Sequence, residues 1–239
     1  MGLIKKFALK LFRPLILSET KIISNERLSP HFHLLTIRGK SLKKAEWTPG
    51  QKIKIVFSDD QSRSYTPSSW NFSSGELQTL VYIHGKGPGA IWARDVKPAS
   101  NVTIRGPKHS IEINDSDKNI LFFGDETTFG LSCALKKFSV GKHFYFFFES
   151  GIADESLLVL KHFELDDSRL YSLEQLETAA NEMIKLFNQT PEARIILSGK
   201  QQSIVTLREK LYAGGIPQDK ISKKVYWGHK DDPNGKLKN

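Results

Sequence analysis

Apolar and polar residues alternate through the first half of the chain in the two-residue rhythm of β-strands. The clearest case is KIKIVF at residues 52–57, in which every second residue is apolar and these residues share one face. Turn-forming Ser-Pro and Pro-Gly pairs separate this run from its neighbours. Similar strand-like runs cover residues 31–37, 77–84 and 101–105. Short strands at regular spacing predict an antiparallel β-barrel over residues 16–116.

The rhythm changes near residue 117, where apolar runs begin to alternate with amphipathic stretches. NILFFG, HFYFFFE and ARIILSG suit strands that are covered on both faces, and KKVYW suits a last strand. Helical patterns cover residues 173–187 and 204–212. This alternation predicts a parallel α/β domain over residues 117–239. We therefore expect a two-domain β + α/β chain.

Charge adds a preference for an anionic partner. The 239 residues include 35 Lys and Arg against 26 Asp and Glu, a formal net charge of +9. The basic residues are spread along the chain, so we expect no nucleic-acid partner. The single cysteine, Cys133, excludes an intrachain disulfide and a zinc site of several cysteines, and no other spacing indicates a metal site.

Residues 1–15 form an N-terminal segment with an amphipathic helical pattern. Its basic residues interrupt every apolar run, so it resembles neither a signal peptide nor a membrane span. Such a segment either packs on its own domain or touches a membrane surface. We expect a monomer in the cytoplasm, without a transmembrane segment.

The short motif RSYTP, residues 63–67, places unusual side chains between two strand-like runs. In an extended chain Arg63 and Tyr65 project from one face, with Thr66 on the other face or at a bend. A cation, an aromatic ring and a hydroxyl suit a ligand with a phosphate and a large planar ring. The alternative is an ordinary exposed edge strand.

A glycine-rich segment, HGKGPGAIWARDV at residues 84–96, breaks the β rhythm. Glycines precede a short helical stretch, and backbone amides at a helix N-terminus attract anions. Gly85, Gly87 and Gly89 would let a phosphate approach. The alternative is a glycine-rich turn with Trp92 in the core.

In parallel α/β sheets, ligands bind at the carboxyl ends of the strands. This rule indicates three places: residues 124–127, GDET; residues 149–150, ES; and residues 198–200, SGK. Thr127 or Thr128 could instead act only as a helix N-cap. Neither the serine-hydrolase motif G-x-S-x-G nor the dinucleotide motif G-x-G-x-x-G follows the first of these strands.

Taken in order, RSYT, HGKGPGAIWA, IRGP, GDET, the ADE of GIADESLL and the late YW resemble one family. The chain is similar, over residues 16–228, to the siderophore-interacting proteins, which are FAD-dependent ferric-siderophore reductases of the ferredoxin–NADP reductase superfamily. The resemblance implies an FAD-binding barrel and an NAD(P)H-binding α/β domain. Its donor is NADPH or NADH, and the flavin passes electrons to Fe(III) in an anionic siderophore, which releases Fe(II).

The resemblance also implies roles for individual residues. Tyr65 and Thr66 would act at the flavin ring, with Tyr226 and Trp227 near it, or these last two are only core. FAD would contact Arg63, Ser64, Tyr65, Thr66, Tyr82, His84, Gly85, Gly87, Pro88, Gly89, Ala90 and Trp92. His84 is otherwise an ordinary strand-end histidine. NAD(P)H would contact Gly124, Asp125, Glu126, Thr127, Ser198, Gly199 and Lys200.

Three departures from the family pattern leave alternatives open. The arginine often found two residues after the threonine is absent, Gly199-Lys200 replaces Gly-Glu, and the late YWR is YWG. Lys223 and Lys224 are candidates for binding an anionic acceptor, or are a solvated pair. Two other functions therefore compete: a reductase for a small acidic protein such as ferredoxin or flavodoxin, and a flavin-free binding domain.

Overall fold

The computed structural model describes residues 18–59, 61–111, 113–190 and 192–228. The N-terminal segment of residues 1–15, for which the sequence predicts an amphipathic helix, lies outside the described residues. The described part contains two β-sheets, one in each half of the chain. No helix in these ranges is long and apolar enough to cross a membrane.

The first sheet is antiparallel and has seven strands, in the order β4-β3-β7-β1-β2-β6-β5. No ladder joins the edge strands β4 and β5 within the described ranges, so the sheet is barrel-like without closing. The antiparallel β domain predicted from the sequence is confirmed. The strands are β1 (Ser18–Arg27), β2 (Phe32–Arg38), β3 (Lys52–Val56), β4 (Ser62–Tyr65), β5 (Ser69–Asn71), β6 (Glu76–Tyr82) and β7 (Asn101–Lys108); helix α1 (Pro88–Asp95) connects β6 to β7.

Burial along β3 follows the alternation read from the sequence. Ile53 and Ile55 are fully buried, whereas Lys52 and Lys54, which alternate with them, are only partly covered. β7 is longer than predicted, because it continues through Gly106 and Pro107. Those two residues oppose a single residue of β3 at a register shift, and such bulges accommodate proline.

The second sheet is parallel and has five strands, in the order β10-β9-β8-β11-β12. The predicted α/β architecture is confirmed, although the sequence pattern did not single out β10 or α3. The elements are β8 (Asn119–Gly124), α2 (Phe129–Phe138), β9 (His143–Glu149), α3 (Ala153–His162), β10 (Arg169–Tyr171), α4 (Leu176–Gln189), β11 (Arg194–Lys200), α5 (Gln201–Ala213) and β12 (Ile221–Trp227).

Both faces of the parallel sheet are covered, which explains its continuous apolar strands. One face, with Phe123 and Phe147, packs against α4 and α5. The other, with Phe122 and Phe148, packs against α2 and α3. The order of the strands reverses at β8, whose neighbours are β9 and β11. In sheets of this kind the ligand crevice lies beyond the carboxyl ends of the strands at such a switch point.

The two sheets share part of their core. Phe32 of β2 stacks on Phe129 of α2 with ring centroids 5.6 Å apart. Leu80 of β6 belongs to the same buried cluster, and a Cβ added to Gly130 would lie 3.2 Å from the Leu80 Cβ. Helix α2 therefore packs tightly against the antiparallel sheet and holds the two sheets together.

Candidate functional site

Strand β4 presents the RSYTP side chains at an edge of the antiparallel sheet. Arg63 pairs with Ile55 and Tyr65 with Ile53, while Ser64 between them is exposed. Arg63 Nη1 donates to the Ser62 carbonyl oxygen at 2.8 Å. Burial raises the pKa of the Tyr65 phenol, which stays neutral.

The glycine loop before α1 lies directly against Arg63. A Cβ added to Gly89 would lie 2.7 Å from Arg63 Cγ, so only glycine allows this approach. Gly85 has a φ of +66°, and a Cβ added there or at Gly87 would meet nothing within 4 Å. The structure thus joins the two motifs into one cationic loop that faces open space. Trp92 stacks on Phe57 with centroids 4.6 Å apart and packs against the hydrophobic core.

Thr66 links the antiparallel sheet to the last strand of the parallel sheet. Its side chain is buried, and Oγ1 lies 2.9 Å from the Tyr226 hydroxyl of β12. Burial raises the pKa of Tyr226, so this phenol is neutral and can donate. The two hydroxyls thus meet where the sheets face each other.

Three aromatic residues form a column beside this contact. The rings of Tyr82 and His84 stack with centroids 5.6 Å apart, and His84 lies 5.4 Å from the Trp227 ring. Burial lowers the pKa of His84, which favours the neutral imidazole. Burial, followed by the negative charges of Glu126 and Asp125, raises the pKa of Tyr82 to about 12.

The strand ends of the parallel sheet form the second wall of the candidate site. Asp125, at the carboxyl end of β8, is its centre. Its carboxylate accepts from Trp227 Nε1 at 2.8 Å, from the Thr127 amide at 2.9 Å and from the Thr127 hydroxyl. Burial raises the pKa of Asp125 to about 6. Asp125 therefore supplies the side-chain cap before α2. The cap from Thr127 or Thr128 that the sequence suggested is not formed, because Thr128 Oγ1 donates to the Asp125 carbonyl oxygen instead.

The SGK residues, at the carboxyl end of β11, pack on Asp125 of the neighbouring strand end. Gly199 has a φ of +107°, and an added Cβ would lie 2.5 Å from the Asp125 Oδ2. Lys200 Nζ lies 5.5 Å from the centre of the Trp227 ring. Ser198 Oγ donates to the Lys224 carbonyl oxygen at 3.1 Å. These strand ends converge at the topological switch point, as the sequence rule indicated.

Two further buried carboxylates flank this wall. Glu126 Oε1 accepts from Ser150 Oγ and from the Gly151 amide, both at 2.8 Å. Glu149 Oε1 accepts from Ser203 Oγ at 2.5 Å, and its Oε2 has no hydrogen-bond partner among the described residues. Burial raises the pKa of Glu149 to about 7. The position of Glu149 at a strand end was visible in the sequence, but its partner Ser203, on a different element, was not.

Five cations form a basic cluster where β3, β7 and β12 approach one another: Lys52, Lys54, Arg105, Lys108 and Lys224. Lys52 is opposite Lys108, and Lys54 is opposite Arg105. Burial and the charge of Lys224, followed by those of Lys108 and Lys54, lower the pKa of Lys52. None of the five forms an ion pair with another described residue. Lys223 is exposed and, by strand alternation, faces away from this cluster, so the predicted lysine pair is divided.

Residues 59–111 match the family model of the siderophore-interacting FAD-binding domain. This stretch contains both the RSYTP strand and the glycine loop that packs on it. The search of curated proteins gave no match. The described residues also contain no group of three His, Cys, Asp or Glu suited to a metal ion.

Solved structures share the fold over nearly the whole chain. A siderophore-interacting protein from Acinetobacter baumannii has a TM-score of 0.74 at 18% identity, covering 92% of this chain and 94% of that one. The siderophore-interacting protein from Aeromonas hydrophila gives 0.69 at 16%, covering 90% and 99%. Ferredoxin-NADP+ reductase from Plasmodium falciparum gives 0.66 at 15%, covering 88% and 96%.

The resemblance read from the sequence is therefore confirmed: residues 59–111 match the siderophore-interacting FAD-binding domain, and the chain shares the two-domain fold of solved siderophore-interacting proteins. The family match supports FAD as a ligand of this chain, and the solved structures show its two-domain fold.

Proposed function

We propose that this protein reduces ferric iron in an anionic siderophore, with electrons from NAD(P)H that pass through FAD. The observation that carries the choice of acceptor is the basic cluster of Lys52, Lys54, Arg105, Lys108 and Lys224, which forms no ion pair with another described residue. Lys224 shares a strand face with Tyr226, whose hydroxyl contacts Thr66. A concentration of positive charge next to the predicted flavin site suits a negatively charged chelate.

The residues of the first domain fit FAD. Arg63 offers a planar cation, and the loop at Gly85 and Gly87 leaves room beside it for a pyrophosphate. Tyr65 supplies a neutral aromatic surface, and Tyr226 holds the Thr66 hydroxyl in place. Bound FAD would supply the ability to take a hydride and release single electrons.

The carboxyl ends of β8 and β11 suit a nicotinamide dinucleotide. The supporting residues are Gly124, Asp125, Glu126 and Thr127 on one side and Ser198, Gly199 and Lys200 on the other. Their hydrogen bonds bring the strand ends together at the switch point, and Trp227 lies between them and His84. Either NADH or NADPH is the electron donor in this proposal. We place the domain boundary at residues 112–118, between β7 and β8, and propose a monomer in the cytoplasm.

The iron is substrate in this proposal and needs no protein ligand. Hard oxygen ligands hold Fe(III) more tightly than Fe(II), so one-electron reduction weakens the chelate and releases the metal. The protein orients the chelate through charge and keeps it near the flavin edge.

The test is an anaerobic visible spectrum of the purified, photoreduced protein during addition of a ferric siderophore. We expect oxidised flavin bands to return rapidly. The double variant Lys52→Gln/Lys224→Gln should slow this return about tenfold or more at low salt. Under these conditions the positive field of the cluster is weakly screened and guides the anionic chelate to the protein. Lys223→Gln is the matched control, since its side chain faces away. A reduced flavin that is not reoxidised when ferric chelates are added would contradict the proposal.

The basic cluster also favours a second candidate, reduction of a small acidic protein such as ferredoxin or flavodoxin. Saturable oxidation of the reduced flavin by ferredoxin, without response to ferric siderophores, would establish that function. A colourless protein that takes up no FAD would instead support a flavin-free binding domain and contradict both reductase proposals.

A further inference from the structure

One carboxylate outside the candidate site ties the two sheets together. Glu155, on α3, reaches the turn between β1 and β2. Its Oε2 accepts from Ser29 Oγ at 2.5 Å and from the His31 amide at 2.9 Å, and its Oε1 lies 2.8 Å from His31 Nδ1. We call Glu155, Ser29 and His31 the latch. It joins segments more than 120 residues apart in sequence.

The latch holds an ionised carboxylate. Burial by itself would raise the pKa of Glu155, but the donors Ser29 and His31 together hold this pKa below its usual value. Both carboxylate oxygens are used, and hydrogen bonds to a charged acceptor are the strong ones. The contact therefore differs from a surface ion pair between two mobile side chains.

The latch is connected to the aromatic column by one residue. The His31 carbonyl oxygen accepts from the Ile83 amide at 2.7 Å, and Ile83 is adjacent to both Tyr82 and His84. The His31 ring also lies 6.5 Å from the Tyr82 ring. A displacement of α3 would thus be transmitted through His31 to the strand end that carries His84.

We propose that Glu155 is a positioning residue that fixes the orientation of the α/β domain against the antiparallel sheet. A second contact between the two sheets, from Thr66 Oγ1 to the Tyr226 hydroxyl, lies in the candidate site itself. The orientation sets the distance between the dinucleotide site and the flavin site. The kinetic consequence rests on the proposed reductase function, whereas the structural consequence does not.

The structural test measures hydrogen exchange at the His31 amide in the full chain. Glu155→Ala should accelerate this exchange at least about tenfold, because the amide loses its acceptor. Ser29→Ala, a milder change, should give a smaller acceleration and serves if Glu155→Ala does not fold. The matched control is Asp154→Ala, which removes a neighbouring acidic residue from the same helix turn. Equal exchange in the wild type and both latch variants would overturn the proposal.

The kinetic test measures flavin reduction at saturating NAD(P)H in the FAD-loaded protein. We expect Glu155→Ala to lower this rate about tenfold with unchanged FAD content and unchanged nucleotide Kd, because a small misplacement of reacting groups is costly. An unchanged rate would refute the positioning role even if exchange rises. If the wild-type flavin is not reduced at all, the proposed function fails, and the exchange result alone decides whether the latch exists.

Discussion

The two walls of the crevice differ in how they are prepared for a ligand. The flavin-side wall is cationic and open: Arg63 lies beside a glycine loop that faces empty space. The nucleotide-side wall is acidic and closed: Asp125 has its acceptors occupied by Thr127 and Trp227, and Gly199 is packed on it. A preformed anion site binds without rearrangement, whereas a closed one must exchange internal hydrogen bonds for ligand bonds.

This difference suits the two proposed cofactors. A flavin that remains bound through many cycles benefits from an open, preorganised cationic loop. A nicotinamide dinucleotide must leave after each cycle, and a wall that restores its own Asp125–Trp227 hydrogen bond favours departure. The comparison can be tested by changing each wall separately.

The largest expected effect is on the flavin side. Arg63→Ala should weaken FAD binding by about 4 kcal/mol, roughly 1,000-fold in Kd, because two charge-assisted hydrogen bonds to the pyrophosphate are lost. The measurement is titration of the FAD-free protein with FAD, followed by flavin fluorescence. Arg94→Ala, which changes an exposed arginine paired with Asp95 on α1, is the control. Stoichiometric FAD retained by Arg63→Ala would contradict the open-loop role.

The next effect is a pH dependence on the nucleotide side. Burial raises the pKa of Glu149 from 4.5 to about 7, so the folded state binds this proton more tightly than the unfolded state. The free energy of unfolding should therefore fall as pH rises from about 4.5 to above 7, by up to about 3 kcal/mol for this group.

Glu149→Gln should remove this pH-dependent fall in the free energy of unfolding. Urea unfolding at pH 8 should show the variant more stable than the wild type, and at pH 4.5 the two should be nearly equal. Asp125, whose pKa is raised to about 6, adds a slope of the same sign in both proteins. A variant that is equally or less stable at both pH values would show that Glu149 is not held in a protonation-sensitive wall.

The smallest of the three effects compares one glycine from each wall. Gly199→Ala should destabilise the FAD-free protein by about 2 kcal/mol, because its φ is +107° and the new methyl would press on Asp125. Gly87→Ala should change the unfolding free energy by less than about 0.5 kcal/mol, since its Cβ meets open space. Thermal unfolding of both variants is the measurement. Equal destabilisation would remove the distinction between an open and a closed wall.

Local patterns predicted the parts of this molecule that depend on near neighbours in sequence. The alternation in β3, the apolar strands β8 and β9 and the RSYTP and GDET motifs could all be read directly. The short strands β5 and β10 could not, because three residues carry too little pattern and their pairing partners decide them.

Contacts between distant segments were beyond such patterns. Glu155 looked like one acidic residue of a family motif, and only the fold brings Ser29 and His31 to it. The basic cluster is likewise assembled from three strands. Lys223 and Lys224 looked like a pair in sequence, but β12 turns them to opposite faces.

The shared core around Phe32, Leu80 and Phe129 has a consequence for how this chain can be recombined. Its two halves are not interchangeable modules, because α2 packs closely on the antiparallel sheet and a Cβ at Gly130 would lie only 3.2 Å from the Leu80 Cβ. A chimera that takes its second half from a relative must import the matching surface of β2 and β6 as well. Chimeras that keep the matched packing of α2 on β2 and β6 should express as soluble protein. Chimeras that disrupt this packing should fail to fold in both halves.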